Sequence, residues 1–183
     1  MKHIMLALAG VLLVSASAHA QTAAETIATA LDASLARFGG EATLIQWRAD
    51  HTYETVREGD NGIVCYDRSD ERDRAPFSDQ CTSLLNLDRV AQNRRFRAQT
   101  TDTPGESAMI NAAEEAGTRV MPEYGSIWFR MDGADRDAAL LHATIAMPGA
   151  TGAGTGFSET RTEAGVWLMD GGTSAAHLMI LGR

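Results

Sequence analysis

Outside its first twenty residues the chain carries three histidines, His51, His142 and His177, and side chains able to do chemistry gather around the last two. His177 and Met179 are two apart, so on a strand both point to one face. Met131, Met147 and Met169 fall in neighbouring apolar stretches. Imidazole nitrogen with thioether sulfur is a soft donor set suited to Cu(I). His177, Met179 and His142 are therefore the candidate metal ligands, with copper as the alternative to having no cofactor. Methionine also fills irregular cores, and the dense short-spaced repeats of a dedicated copper segment are missing, so core packing is the favoured expectation. Ser174, His177 and Asp170 are the residue types of a hydrolytic triad. Ser174 and His177 are three apart across an expected turn, however, and no G-x-S-x-G elbow exists. No catalytic residue is assigned.

The glycine run Gly149, Gly152, Gly154 and Gly156 invites comparison with phosphate loops, which need a following helix to meet the anion. Phe157 to Gly165 has no helical apolar period, and no lysine is available to reach a phosphate. A ligand-covering loop is the better expectation. Asp67, Ser69, Glu71 and Asp73 alternate as calcium ligands do, but the turn glycine and closing glutamate of the calcium loop are missing. Arg68, Arg72 and Arg74 neutralise the cluster, which reads as a solvated loop. Arg94, Arg95 and Arg97 end a helix, where cations complement the macrodipole. Surface placement is favoured over an anion site.

Lys2 is the only lysine, so every other basic residue is arginine. Such a bias fits forked recognition of carboxylates or phosphates, though arginine-rich codon usage explains it more simply. A net charge of −8 argues against nucleic acid, because phosphate neutralisation needs a positive face. Lys2 and His3 precede an apolar run from Ile4 to Val14, and Ala18-His19-Ala20 supplies small residues before Gln21. This is the form of a signal peptide over 1–20, cleaved after Ala20. The run is too short to remain across a bilayer, so a periplasmic or secreted, not membrane-spanning, product is expected. In an oxidising compartment Cys65 and Cys81, the only cysteines, are expected to pair.

The elements that must position these groups follow from periodicity. Thr22 to Phe38 repeats apolar residues on one helical face and ends at Gly39-Gly40. Ala42 to Trp47, Thr52 to Arg57 and Gly62 to Asp67 read as strands, with Gly59-Asp60-Asn61-Gly62 as a hairpin turn in an antiparallel meander. Ser83 to Arg97 is expected to be helical, with Leu84, Leu87, Val90 and Ala91 inward. A second helix opens at Thr103-Pro104-Gly105-Glu106, with Thr103 as cap, and stops at Gly117. Ser126 to Met131, Ala143 to Met147, Gly165 to Met169 and His177 to Leu181 are further strands, with a short helix expected within Asp132 to Leu141. The resulting fold class is a single α+β domain over 21–183: an antiparallel sheet with an N-terminal helix and a central helical pair.

Trp167-Leu168-Met169-Asp170-Gly171-Gly172-Thr173-Ser174-Ala175-Ala176-His177-Leu178-Met179 resembles the ending of a group of small exported bacterial proteins of unknown function. Arg57-Glu58-Gly59-Asp60-Asn61-Gly62 followed by Cys65 is similar to their middle region. The resemblance implies export and a single domain, and no reaction. The expected function is a non-catalytic binding module for a small molecule or an envelope protein, with an apolar concavity near Trp128, Trp167 and the glycine loop. The alternatives are the copper protein described above and a cell-envelope hydrolase.

Overall fold

A computed structural model describes residues 41–181. The leader and the helix expected over Thr22 to Phe38 lie outside the described residues. Eight strands form one sheet: β1 (Thr43–Trp47), β2 (Tyr53–Arg57), β3 (Ile63–Asp67), β4 (Phe77–Ser83), β5 (Ile127–Gly133), β6 (Leu140–Ala146), β7 (Val166–Met169) and β8 (His177–Leu181). Their order is β2-β1-β3-β4-β5-β6-β8-β7. Between β4 and β5 the chain makes a 3-10 turn over Leu84–Asn86 and two helices, α1 (Leu87–Ala98) and α2 (Thr103–Glu115). A single turn, α3 (Gly152–Thr155), lies in the glycine run.

This corrects the expected fold class. The sheet is mixed, not antiparallel, because β1 and β3 run parallel. It dominates the described residues, with short helices as minor elements beside it. Gly59 to Gly62 does not close a hairpin: β2 pairs with β1, and the chain then crosses the end of β1 to place β3 on its far side. The amides of Asp60 and Asn61 donate to the Glu41 carbonyl, and that of Gly59 donates to the Thr43 hydroxyl. A Cβ on Gly59 would stand 2.3 Å from the Glu41 oxygen, so glycine here serves a close backbone crossing. The helix expected within Asp132 to Leu141 is instead the end of β5, a turn and the start of β6. The cap of α2 is Asp102, one residue earlier than expected, accepting from the Gly105 amide at 2.8 Å.

β4 escaped the pattern reading altogether. Its sequence, FSDQCTS, shows no apolar alternation, yet Ser78, Asp79, Cys81 and Thr82 are buried. Polar side chains can occupy a central strand when their hydrogen bonds are met inside the protein. Ser78 donates to Asp132 at 2.6 Å and Thr82 to the Ile127 carbonyl at 3.2 Å, both on the neighbouring β5 segment. Asn86, fully buried, donates to Thr82 and Ser126 and accepts from the Glu123 amide. That one amide fixes the start of α1 over the sheet.

One face of the sheet packs Leu44, Cys65 and Cys81 against Phe129 and Met131. The other packs Ile45, Val64 and Tyr66 under Leu87 and Val90 of α1, with Trp47 and Trp128 at the margin. Cys65 and Cys81 face each other across β3 and β4 and form a disulfide, Cα to Cα 4.1 Å. No helix among the described residues is long and apolar enough to cross a membrane. A cross-link closing a sixteen-residue separation stabilises by roughly 3 kcal/mol through the unfolded chain. Replacing both cysteines by serine should therefore lower the unfolding free energy by about that amount, read from urea unfolding monitored by tryptophan fluorescence.

Candidate functional site

α1 packs an unusual face onto the sheet. Leu87 and Val90 are buried as the apolar period demands, but so is Arg94 on their stripe, and Arg89 and Gln92 are buried on the adjoining sides of the helix. Beneath them the sheet presents three cross-strand rows. Gln80, Arg130 and His142 are directly opposed on β4, β5 and β6. Trp128, Thr144, Met179 and Trp167 form the next row, and Ala146, His177 and Met169 the third. Helix and floor border a half-open cavity of about 420 Å³, lined by seven arginines against three carboxylates. Guanidinium groups thus converge in a chain whose overall charge is negative. The expected apolar concavity is corrected on this point: Trp128 lines it, but Trp167 and the glycine run do not, and ionisable groups do converge there.

The first end of the cavity is organised by Glu71, whose side chain is only 5% exposed. Arg68 grips it with Nε and an Nη, each at 3.2 Å. Arg94 donates to it at 2.8 Å, Arg97 donates to its other oxygen, and Arg74 Nε stands 3.6 Å away. Arg97 continues to Glu106 on α2, which also takes Arg72. Arg94 bonds Asp70 at 2.6 Å and places its guanidinium 5.2 Å from the Trp47 ring centre. The segment expected as a solvated loop is therefore pulled inward, and Arg94 and Arg97 are not surface cations. Burial, then the nearby Arg68 and Arg130 charges, hold Arg74 down to about 10.

The second end holds Arg89 and Arg119, 5% and 9% exposed. Arg89 donates to the backbone carbonyls of Val120 and Ser174. Arg119 donates to the amide oxygens of Gln92 and Asn93 and lies over the Phe96 ring. Its Nε is buried with no hydrogen-bond partner among the described residues. Every acceptor named here is neutral. Glu114 is the carboxylate whose field reaches both arginines, and it accepts the Ser174 hydroxyl instead of pairing with either. Burial first, and then Arg119, bring Arg89 down to about 10. Two buried like charges thus share a cavity without a carboxylate in contact.

His142, His177 and Met179 do line this one cavity. They stand on successive rows, however: His142 opposes Leu181, four residues from His177, which separates the imidazoles by about 14 Å along the strand. Among the described residues no three His, Cys, Asp or Glu side chains assemble as a metal site. His177 Nδ1 lies 2.8 Å from the Ala175 carbonyl, to which it can only donate, and 3.9 Å from Asp170. Ser174 bonds Glu114, not His177, so the Ser-His contact of a hydrolase is not formed. His51 does not line the cavity; burial, then Arg94 and Arg95, hold its imidazole below the ordinary range. The cavity arginines were missed because charge was read as surface, although Arg94 and Arg97 stand four and seven residues after Val90 on its α1 stripe.

Comparison with protein-family models, with curated proteins and with solved structures finds no match. The reading of the cavity therefore rests on its own chemistry. Removing one partner of a buried ion network strands the others at about 3–5 kcal/mol. Glu71→Gln should accordingly lose about that much stability in urea unfolding, whereas Arg48→Ala, which breaks the exposed Arg48–Glu54 pair, should change it by less than about 1 kcal/mol.

Proposed function

We propose that this chain is an exported, non-catalytic binding protein for small organic anions bearing a carboxylate or phosphate. The observation that carries the reading is the Arg89–Arg119 pair, buried at the cavity wall on neutral acceptors alone. A desolvated guanidinium is costly unless an anion accompanies it, and its planar fork matches the two oxygens of a carboxylate or phosphate. An entering anion relieves that cost, so binding and folding stability are coupled. The disulfide and the leader-like first twenty residues support an extracytoplasmic site of action. The resemblance to small exported proteins points the same way.

The test is thermal unfolding and calorimetric titration of the disulfide-bonded protein with acetate, hexanoate and inorganic phosphate, using chloride and glycerol as controls. A binding anion should raise the stability by about 2.7 kcal/mol at one hundred times its dissociation constant, and chloride and glycerol should not. Arg89→Met should remove the response, and Arg89→Lys should restore only part of it because the fork is lost. No response of the wild-type protein to either carboxylate or phosphate would overturn the proposal.

A further inference from the structure

We infer that the occupant of this cavity is an elongated molecule with an oxyanion at each end, a linear bis-carboxylate or bis-phosphate with an apolar middle. The inference rests on the anion-binding reading and sharpens it. Cationic groups stand at both ends of the cavity, not only at Arg89 and Arg119. At the far end Arg74 and Arg130 line the wall beside Gln80 and His142. Arg130 pairs with Asp132, and Glu71 must serve Arg68, Arg94 and Arg97 before Arg74, which it reaches only at 3.6 Å. His142 Nδ1 is buried there with no hydrogen-bond partner among the described residues. Hydrogen-bonding capacity is therefore left over where guanidinium groups are crowded.

Between the two ends the lining changes character. Trp128 and Met179 on the floor, with Val90 and Ile110 from the helices, make an apolar waist. The length of the span follows from the register. The row of Arg130 and His142 lies four residues along β6 from Ala146 beside His177, about 14 Å. The helix gives a somewhat shorter figure: Arg89 touches the Ser174 end, and Arg94 and Arg97, five and eight residues on, touch the Glu71 end, a rise of about 8–12 Å. Two oxyanions separated by roughly 10–14 Å would meet both cationic ends with the waist around their spacer.

The experiment is a calorimetric length series on the wild-type protein: linear α,ω-dicarboxylates from succinate to dodecanedioate, monocarboxylates of equal length, and α,ω-diphosphonates as a second arm. The expected result is an affinity maximum at the members spanning about 10–14 Å, at least about tenfold tighter than the matched monocarboxylates. The arm that shows the sharper maximum identifies the oxyanion. Arg74→Met should bring the best dicarboxylate down to the level of its monocarboxylate, while Arg89→Met weakens both classes. If monocarboxylates bind and no dianion binds more tightly at any length, this inference fails and the anion-binding reading stands. If neither class binds, both fail.

Discussion

A single carboxylate, Glu71, has to satisfy more positive charge than it carries, and much of the site's architecture follows from that. The residue belongs to a connection between two strands, while two of the arginines it holds belong to α1. Electrostatic attraction at low exposure therefore ties loop, helix and sheet together where apolar side chains are few. Such a network has a large desolvation cost, repaid only through near-complete hydrogen bonding. Glu71 meets that condition, with Arg68 bidentate and Arg94 and Arg97 completing its oxygens. Arg74 and the Arg89–Arg119 pair are left with charge to spare.

The polar interior of this fold divides into two kinds. Asn86, Thr82 and Ser126 form a closed set of hydrogen bonds among neutral groups, and Ser78 bonds the Asp132 carboxylate, aligning α1 and β4 with β5. They account for a central strand with almost no apolar pattern. The arginines around the cavity are different, because neutral oxygens meet their donors without cancelling their charge. A structural role exhausts a polar group's capacity; a binding role leaves capacity facing a space. Arg89, Arg119, Arg74 and His142 all line one cavity, and the proposed binding role assigns them to the second sort.

Much of the strand arrangement was visible as alternation. β1, β2, β3, β7 and β8 fall within a residue or so of the apolar stretches that predicted them. What misled was polarity and connectivity. Strand β4 read as loop because its burial is carried by Ser, Asp and Thr. Gly59 to Gly62 read as a hairpin because local turn chemistry does not say which strand comes next in the sheet. Arg94 and Arg97 read as a solvated helix end because the carboxylate that draws them inward lies more than twenty residues away.

The amino-acid sequence by itself determined the local periods, the pairing of its two cysteines and the excess of arginine over lysine, since each depends on residue type and near neighbours. Only the tertiary structure decided that the sheet is mixed, that a polar segment runs through its middle, and that scattered arginines share one cavity. Those outcomes depend on contacts between residues far apart in the chain. There the electrostatic cost of burial is set by which distant partner arrives, and no local spacing encodes it.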